Sequence, residues 1–524
     1  MPTPTHKNSK NQEYFDTLHL RADLKRRAVR GAGATVLSQF AMLISNVAGV
    51  IILARLLTPT DFGLVTMVTT FSLLVMNFGL NGFTEAIIQR ENLDHTLVST
   101  LFWINGGITL ALTLMFMAAA PAVAWFYDEP RLKAITVAMA LTIIFTGLST
   151  HHLALLKRQM QFYHTSILQS STWVIGLIAA ITFAWLGWGY WALVIGALTR
   201  PAVSAAGSWL LCRWRPGLPA RGTGVGQMIR YALNTYGNFS LNYFTRNLDN
   251  LLVGWRFGSQ SLGLYKKAYD LFILPTSQLS APLTSVALSS LSRLSKDPEK
   301  YRRNYLSVLS TLAFIGMLLS AILTLIGKDF ILLLLGSQWG GAGEIFTYFS
   351  PGVGVMLIYG THGWLHLSLG RPDRWLLWGI LEFAVTALFF IAGLQFGPKG
   401  VAVAFVASFY VLIGPCIVYA GRPIRLTLSS FFKAIWKYYI SALLAGILSW
   451  LLLYHAALTS SVFSGLNIYF RILAGSILCT IVYLLLVIAL YQGVKPISQL
   501  LSLTREMIPA SGKKKAVAEP IENI

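Results

Sequence analysis

The sequence is built from apolar segments that are each about as long as a lipid bilayer is thick. A helix needs roughly 20 mostly apolar residues to cross about 30 Å of hydrocarbon, and about fourteen segments reach this length. Because lipid offers the backbone no hydrogen bonds, segments that span it must be helical unless they close a barrel. The sequence therefore predicts an all-α polytopic membrane protein with about 14 transmembrane helices. The segments lie near 34–54, 62–82, 99–126, 134–156, 166–186, 190–211, 229–253, 261–290, 305–327, 341–368, 375–395, 399–420, 436–456 and 468–491.

The composition supports a membrane location and excludes a large soluble enzyme. Of the 524 residues, 55% are hydrophobic and only 12% are charged, whereas soluble chains carry about 25% charged residues. The three cysteines, Cys212, Cys416 and Cys479, show neither pairing nor metal-site spacing. His362 and His366 are four residues apart but have no evident third ligand. We therefore predict no disulfide, no metal site and no cofactor.

The positions of the basic residues indicate the orientation of the chain and explain its net charge of +21. If the N terminus is cytoplasmic, the tails and loops on that side hold 30 of the 41 Lys and Arg residues, and the opposite loops hold 8. This asymmetry follows the positive-inside rule. It predicts two cytoplasmic tails, at 1–33 and 493–524, that are attracted to anionic membrane lipids. It also argues against a nucleic-acid partner.

An internal repeat of about 200 residues divides the chain. The sequences ARLLTPTDFGL at 54–64 and WRFGSQSLGL at 255–264 both place an Arg before a short turn and Gly-Leu at the start of the next helix. We infer an N-terminal six-helix lobe at 34–220, a C-terminal six-helix lobe at 221–426 and a terminal helix pair at 427–492. Because six is an even number, both lobes keep the same orientation in the membrane, which is a common transporter design.

The most polar of the predicted membrane segments opens the second lobe. Asn238, Asn242, Arg246 and Asp249 recur at spacings of four, four and three residues, which places them on one helical face. A charge at mid-membrane costs about 3 kcal/mol on insertion scales, so this face is predicted to line a cavity. Arg246 and Asp249 are expected to pair across one helical turn. A static ion pair between packed helices is the alternative.

Three further cations inside the predicted helices are candidates for the same cavity. Lys266 and Lys267 follow the turn after the seventh segment, and Arg200 immediately precedes Pro201 in the sixth. Asp270 lies one turn beyond the lysines and is expected to pair with one of them. For the two lysines, an interfacial position with the ammonium groups reaching towards water is the alternative.

Three acids are candidates for a coupling-ion site. Glu344 and Glu382 are lone carboxylates on the tenth and eleventh segments, and Asp249 lies on the seventh. An intramembrane carboxylate can carry a proton or face a cation pathway. A hydrogen bond to a neighbouring helix is the alternative for each.

Some polar residues near the predicted helix ends are assigned structural roles. Arg55 and Arg256 are expected to cap the last carbonyls of their own helices, and attraction of a phosphate to the outer turns is the alternative. His151 and His152 are expected to lie at the membrane interface, at a helix end. The apolar segment at 330–335 is too short to span the bilayer and is also expected at the interface.

Several motifs resemble those of bacterial polysaccharide flippases. They are LARLLTPTDFGLV at 53–65, FGL at 78–80, IIQR at 87–90, RNLDNLLVG at 246–254, LGLYKKAYDL at 262–271 and DPEKYRRNY at 297–305. Together they make the chain similar, over about 30–425, to the Wzx-type oligosaccharide flippases of the exopolysaccharide, colanic-acid-like branch. That family belongs to a superfamily that also contains multidrug exporters and lipid II flippases.

The resemblance implies a transporter and not an enzyme. Its expected substrate is an oligosaccharide repeat unit linked to undecaprenyl diphosphate, which crosses the bacterial inner membrane for exopolysaccharide or O-antigen assembly. Alternating access of two lobes is the expected mechanism, and a polysaccharide polymerase and a chain-length regulator are the expected partners. A diphosphate requires positive charge in a low-dielectric site, so Arg246 is expected to attract it and Asp249 to orient Arg246.

Two other functions remain open at this point. A membrane polysaccharide polymerase or ligase usually needs a long outer loop that carries Arg and His, and the predicted outer loops are short. A small-molecule exporter of the same superfamily is the second alternative. The cationic residues of the predicted cavity favour an anionic glycolipid over cationic drugs.

Overall fold

Within the part of the chain that the computed structural model describes, all regular structure is helical, which confirms the predicted fold class. The structure describes residues 24–80, 93–220, 225–455 and 465–494, and the single positions 87, 463, 496 and 498. Short 3₁₀ turns lie at Ser337–Trp339, Leu394–Phe396 and Arg422–Ile424. The helices are α1 (Leu24–Leu56), α2 (Pro59–Leu80), α3 (His95–Ala118), α4 (Ala120–Tyr127), α5 (Leu132–Arg158), α6 (Phe162–Trp185), α7 (Tyr190–Leu211), α8 (Val225–Arg293), α9 (Pro298–Leu335), α10 (Gly340–Phe349), α11 (Gly352–Tyr359), α12 (His362–Ser368), α13 (Pro372–Gly393), α14 (Gly397–Gly421), α15 (Leu428–Tyr454) and α16 (Ile468–Tyr491).

The chain is a multi-pass membrane protein. In the part that the structure describes, eight helical stretches are long and apolar enough to cross a bilayer. The remaining predicted crossings fall on α2, α7, α8 and α10–α12, so the number fourteen stays a prediction. The eight stretches are Leu37–Leu56, His95–Ala118, Leu132–Arg158, Phe162–Trp185, Pro298–Leu335, Pro372–Ile424, Leu428–Tyr454 and Ile468–Tyr491.

Small residues allow close packing among the first seven helices. The central helix α5 packs against α2, α3 and α7, and α6 packs against α1 and α7. A Cβ on Gly147 of α5 would collide with the Thr109 side chain of α3, and a Cβ on Gly196 of α7 would collide with Ala180 of α6. Such glycines let membrane helices approach closely and gain van der Waals contact. Asn105 of α3 adds a hydrogen bond, from its Nδ2 to the Gly147 carbonyl at 3.2 Å.

The second half contains helices whose boundaries differ from the prediction. The range α8 contains two helices that meet at the non-helical residue Gly258 (φ 77°, ψ −178°), which agrees with the predicted seventh and eighth segments and the short turn between them. Glycine is needed there because other residues are strained at positive φ. Residues 330–335 are the end of the 38-residue helix α9 and not a separate segment, and their position at the interface stays a prediction. The predicted tenth segment is broken into α10, α11 and α12, and Pro351 lies at the first break.

The helix breaks in the second half are stabilised by side-chain hydrogen bonds. At the first break, Ser320 Oγ of α9 accepts from the Gly354 backbone N–H at 2.8 Å. At the second break, Thr361 Oγ1 lies 2.7 Å from Tyr305 Oη, also of α9. Broken helices expose backbone groups that must find partners when they are buried. The Ser320 bond satisfies a backbone N–H group near the first break, and the Tyr305–Thr361 contact links the second break to α9.

The chain forms two compact units. One unit comprises Met1–Pro275, Gly327–Ser350 and Arg371–Leu412, and the other comprises the remaining residues. The predicted lobes at 34–220 and 221–426 were derived from sequence similarity, and this division stays a prediction. The helices α15 and α16 coincide with the predicted terminal pair and pack against each other. Most of both predicted tails lies outside the described residues.

Candidate functional site

Two glycines of the internal repeat meet the opposite repeat in the same way. A Cβ on Gly63 would overlap the backbone carbonyl of Ser259, and a Cβ on Gly263 would overlap the backbone carbonyl of Pro59. Gly63 and Gly263 are 200 residues apart in the sequence, and so are their partners Pro59 and Ser259. The two contacts are therefore equivalent. We call Pro59, Gly63, Ser259 and Gly263 the glycine seam. Its contacts have the symmetry of a local twofold axis between the start of α2 and the kink of α8.

Reciprocal hydrogen bonds between α1 and the α9–α10 turn lie in the same compact unit. Gln338 Nε2 and Trp339 Nε1 donate to the Ala54 carbonyl, at 2.6 and 2.7 Å. Arg55 Nη2 in turn donates to the Leu333 carbonyl at the end of α9, at 3.0 Å. The last carbonyls of a helix have no partner within it and need external donors. The expectation that Arg55 caps its own helix was therefore wrong, because it caps α9.

Asp249 is anchored by the far side of the α8 kink. Tyr265 Oη donates to Asp249 Oδ2 at 2.9 Å, and the Asn250 N–H donates to Asp249 Oδ1 at 2.8 Å. Asp249 and Tyr265 are both buried. The other members of the predicted polar face have side chains that lie outside the described residues, so the pairing of Arg246 with Asp249 stays a prediction. These members are Asn238, Asn242 and Arg246.

The two consecutive lysines have different partners. Lys266 Nζ lies 2.5 Å from Asp270 Oδ1, which confirms the predicted pairing of Asp270 with one of the lysines. Lys267 is only 8% exposed, and its Nζ lies 4.0 Å from the centroid of the Phe62 ring. Among the described residues, no carboxylate lies within 4 Å of the Lys267 ammonium. Its charge is compensated by an aromatic face, which attracts a cation but does not neutralise it.

Arg200 is in a similar situation on α7. Its guanidinium carbon lies 3.9 Å from the centroid of the Trp173 ring on α6, and its stem packs so closely that a Cβ on Gly176 would collide with it. Its Nε is buried and has no hydrogen-bond partner among the residues that the structure describes. No carboxylate of these residues lies within 4 Å of its guanidinium. In the described part of the chain, the Nε of Arg200 is therefore an unused donor.

The remaining acidic candidates differ from each other. Glu344 Oε2 lies 2.7 Å from Lys399 Nζ, and Glu344 Oε1 lies 3.4 Å from Lys328 Nζ. This partly exposed cluster joins α9, α10 and α14 and favours a structural role for Glu344. Glu382 is half-buried on α13 and has an interaction partner, and its role in ion coupling stays a prediction.

The histidines do not form a metal site in the described part of the chain, where no group of three or more His, Cys, Asp or Glu side chains could hold an ion. His151 and His152 are fully buried within the protein, and their expected position at the membrane interface stays a prediction. His152 stacks on Trp209 with ring centroids 4.3 Å apart and also contacts Trp214 at 5.4 Å. The connection after α7 carries Trp214 and covers this histidine pair, which explains the burial.

The sequence did not predict which aromatic rings and which tyrosine hydroxyl contact the charged groups. Phe62, Trp173 and Tyr265 lie on different helices or helix segments from the side chains they contact. Phe62 belongs to the motif at the start of α2, but nothing in that motif pairs it with a residue in α8. Of these three partners, only Tyr265 lies in the sequence next to a predicted site residue, Lys266.

Comparison with known proteins gives a consistent set of similarities. The family model described as "Polysaccharide biosynthesis protein" matches residues 52–343. The lipopolysaccharide biosynthesis protein WzxC of Escherichia coli is 22% identical over 421 residues, which cover 77% of this chain and 85% of WzxC. The succinoglycan biosynthesis transport protein ExoT of Rhizobium meliloti is 23% identical over 363 residues, 69% and 73% of the two chains.

A solved structure shares the fold. The lipid II flippase MurJ in an inward closed conformation superimposes with a TM-score of 0.70 and 14% identity, over 87% of this chain and 98% of MurJ. At this identity the similarity concerns the fold alone. It is nevertheless extensive, because it includes nearly the whole of the solved chain.

Proposed function

We propose, from the premise that the chain belongs to the polysaccharide biosynthesis protein family, that it is a flippase for an oligosaccharide linked to undecaprenyl diphosphate. The chain is a membrane transport protein of polysaccharide biosynthesis and not an enzyme. The name of ExoT describes a transport protein. We further propose that undecaprenyl diphosphate is the carrier lipid and that transport occurs by alternating access. We also propose that the chain lies in the bacterial inner membrane with both termini in the cytoplasm.

The observation that carries the proposal is a pair of cations compensated by aromatic rings instead of carboxylates. Arg200 lies on Trp173 and Lys267 lies on Phe62, and no described carboxylate is within 4 Å of either charge. A buried charge without a counter-ion is costly, so such residues are retained where an anion arrives during function. A diphosphate suits this arrangement because its oxygens accept charge-assisted hydrogen bonds. Arg246 is the third cation that we assign to this role.

The sugars require different partners from the diphosphate. Amides and aromatic hydroxyls can bind sugar hydroxyl groups, and the α8 stretch supplies both types. We assign Asn238 and Asn242 to this role, and Lys266 to the phosphate end. The Lys266–Asp270 pair at 2.5 Å would loosen when an anion competes for the ammonium, so binding remains reversible.

The glycine seam supports alternating access. Lys267 lies against Phe62 of α2, one residue from Gly63, and is therefore covered where α2 meets α8. If α2 separates from α8, the ammonium loses its aromatic cover and faces water. We propose that this separation, on the outer side of the membrane, accompanies release of the glycolipid. Asp249 and Glu382 are the candidates for coupling the step to an ion.

Deletion of the gene, followed by analysis of lipid-linked oligosaccharides, tests the proposal. We expect one complete repeat unit to accumulate on the inner leaflet, and its structure names the substrate. Re-expression of the parent chain restores export, whereas the double variant Arg200→Met, Lys267→Met does not. Shortened polymer without accumulation of the repeat unit would favour a polymerase and overturn the proposal.

We also propose that a polysaccharide polymerase and a chain-length regulator are physical partners of the chain. Co-purification tests this part of the proposal.

A further inference from the structure

The connection that follows α7 is a rigid part of the first compact unit. We call residues 212–220 the strap. Its backbone is held by side chains of α3: the Gly217 N–H donates to Ser99 Oγ at 2.9 Å, and Trp103 Nε1 donates to the Gly217 carbonyl at 2.8 Å. Gly217 also packs so closely on His95 that a Cβ there would lie 2.8 Å from the imidazole. The strap is therefore fixed before any ligand arrives.

Alternation along the strap separates its apolar and basic side chains. Cys212 and Trp214 are fully buried, whereas Arg213 and Arg215 are exposed. Side chains of an extended chain alternate between two faces, and residues two apart lie about 6.6 Å apart along it. Trp214 is held among buried rings such as Phe102, so Arg213 and Arg215 occupy the exposed face of the strap.

The surface around these arginines is strongly apolar. Leu218 of the strap is 86% exposed, Leu210 in the last turn of α7 is 77% exposed, and Trp103 is 50% exposed. Helix α7 has 22 residues, about 33 Å at 1.5 Å per residue, so its last turn is expected near the boundary of the hydrocarbon. A rigid surface that combines exposed leucines, a tryptophan and two arginines matches the chemistry of the membrane interface.

We propose that the strap is a binding site for an anionic phospholipid. Arg213 and Arg215 bind the headgroup phosphate, and Leu210 and Leu218 contact the acyl chains. The Arg215 guanidinium carbon lies 5.6 Å from the centroid of the Trp209 ring, and this arrangement leaves its N–H groups in the guanidinium plane for phosphate oxygens.

The surroundings favour a lipid over a soluble acidic protein. Leu210 lies on a helix that packs between α5 and α6, and both of those helices are apolar enough to span the bilayer. The apolar part of the surface is thus continuous with surface that faces acyl chains, where a soluble partner has no access. The strap contains none of the cations that we assign to the transported substrate. The proposed lipid site therefore does not depend on the proposed function.

Lipid binding to the purified full chain tests the proposal. Native mass spectrometry in detergent, with added phosphatidylglycerol or phosphatidylcholine, measures the affinity of the first bound lipid. We expect Arg213→Gln with Arg215→Gln to weaken phosphatidylglycerol about tenfold or more and to leave phosphatidylcholine unchanged, because each cation near an anionic surface contributes to binding. Equal phosphatidylglycerol binding by the variant and the parent chain would overturn the proposal.

A matched control variant separates the strap from general basicity. Arg422 and Arg425 are also exposed, and the Arg422 guanidinium carbon lies 5.8 Å from the Tyr419 ring centroid, much as Arg215 lies over Trp209. Arg422→Gln with Arg425→Gln removes the same charge and is expected to change phosphatidylglycerol affinity less than twofold. A loss as large as that of the strap variant would show that only net charge matters and would contradict a specific site.

Competition by a soluble phosphate distinguishes a lipid from a free phosphate. Two more variants test the apolar contact and replace the glutamine variant if that variant does not fold. Leu218→Ser is expected to weaken phosphatidylglycerol about threefold, and soluble glycerophosphate is not expected to compete with the lipid. Competition by glycerophosphate would overturn the assignment of a lipid. If the glutamine variant does not fold, Arg213→Lys with Arg215→Lys decides: it keeps the charge but loses the guanidinium fork, so an intermediate loss supports the site and no loss contradicts it.

Discussion

The two repeats of the chain are alike in backbone contact and unlike in charge. In the glycine seam, Gly63 and Gly263 each lie against a backbone carbonyl of the other repeat, at matching positions. The polar side chains close to the seam have no such symmetry. At an offset of 200, Lys266, Lys267, Asp270 and Asp249 correspond to Thr66, Met67, Thr70 and Gly49. The contact between the repeats is symmetric, whereas the charges that we propose for anion recognition lie mainly in the second repeat.

The difference has a physical reason. A close backbone contact depends on shape, and two similar helices fulfil it equally well from either side. A membrane-embedded charge carries a large desolvation cost, so similarity of shape between the repeats does not require similarity of charge. Substitutions at the seam should therefore act equally in the two repeats, and substitutions of charge should act unequally.

The seam glycines are expected to give the largest effects. Gly63→Val and Gly263→Val each place a side chain on a backbone carbonyl, which no rotamer relieves, so each is expected to lower polymer export more than about tenfold; overpacking of this kind costs at least 1–3 kcal/mol. Export is measured against the amount of protein in the membrane. Gly107→Val on α3 is the control, because a Cβ there meets nothing within 4 Å. A large effect at only one of the two seam glycines would contradict the equivalence of the two contacts.

Removal of single cations is expected to come next. Arg246→Ala, Lys267→Met and Arg200→Met should each lower export about 10- to 100-fold with normal membrane insertion, since a hydrogen bond to a charged group contributes about 1.5–3 kcal/mol. Lys328→Met is the matched control, because Glu344 keeps its closer partner Lys399. Normal export by Arg246→Ala would remove it from the diphosphate site.

The Tyr265–Asp249 contact is expected to affect stability more than export. Tyr265→Phe removes the hydroxyl that donates to Asp249 Oδ2, so the free energy of unfolding should fall by about 2 kcal/mol. Thermal unfolding in detergent measures the change, with Tyr348→Phe as a control at a partly exposed position. An unchanged melting temperature would mean that Asp249 is satisfied by other donors.

The Glu344 cluster is expected to give the smallest effect. Its side chains are 42–57% exposed, and exposed ion pairs contribute about 0–1 kcal/mol. Glu344→Gln should therefore change the free energy of unfolding by less than about 1 kcal/mol, and the change should shrink at high salt. Export should remain normal. A loss of export with intact stability would return Glu344 to the coupling-ion candidates.

The sequence predicts the helices well and their interruptions less well. Apolar runs determine where a helix can cross, so the predicted segments coincide with observed helices. The turn expected after the seventh segment occurs at Gly258, where a glycine at positive φ separates two helices. The break at Pro351 within the predicted tenth segment was missed, because a long apolar run masks a local proline signal.

The candidate site shows the same limit. Lys267 and Arg200 are identifiable from the cost of a charge in a membrane segment. Their aromatic partners, Phe62 and Trp173, are not, because periodicity describes one helix at a time and these contacts join two. For Lys267 the partner lies about 200 residues away in the chain. The Lys266–Asp270 pair was predicted because both residues share one helical face.

The twofold contact at the glycine seam also bears on how such an asymmetric site can exist. An interface in which each partner presents the same surface is the kind that a symmetric dimer forms. In a dimer of two half-length chains, a lysine beside the axis would occur twice and would repel its own copy. Within one continuous chain the same lysine occurs once. Covalent fusion of the halves therefore keeps the geometry of a dimer while it allows a single, unduplicated charge at the axis.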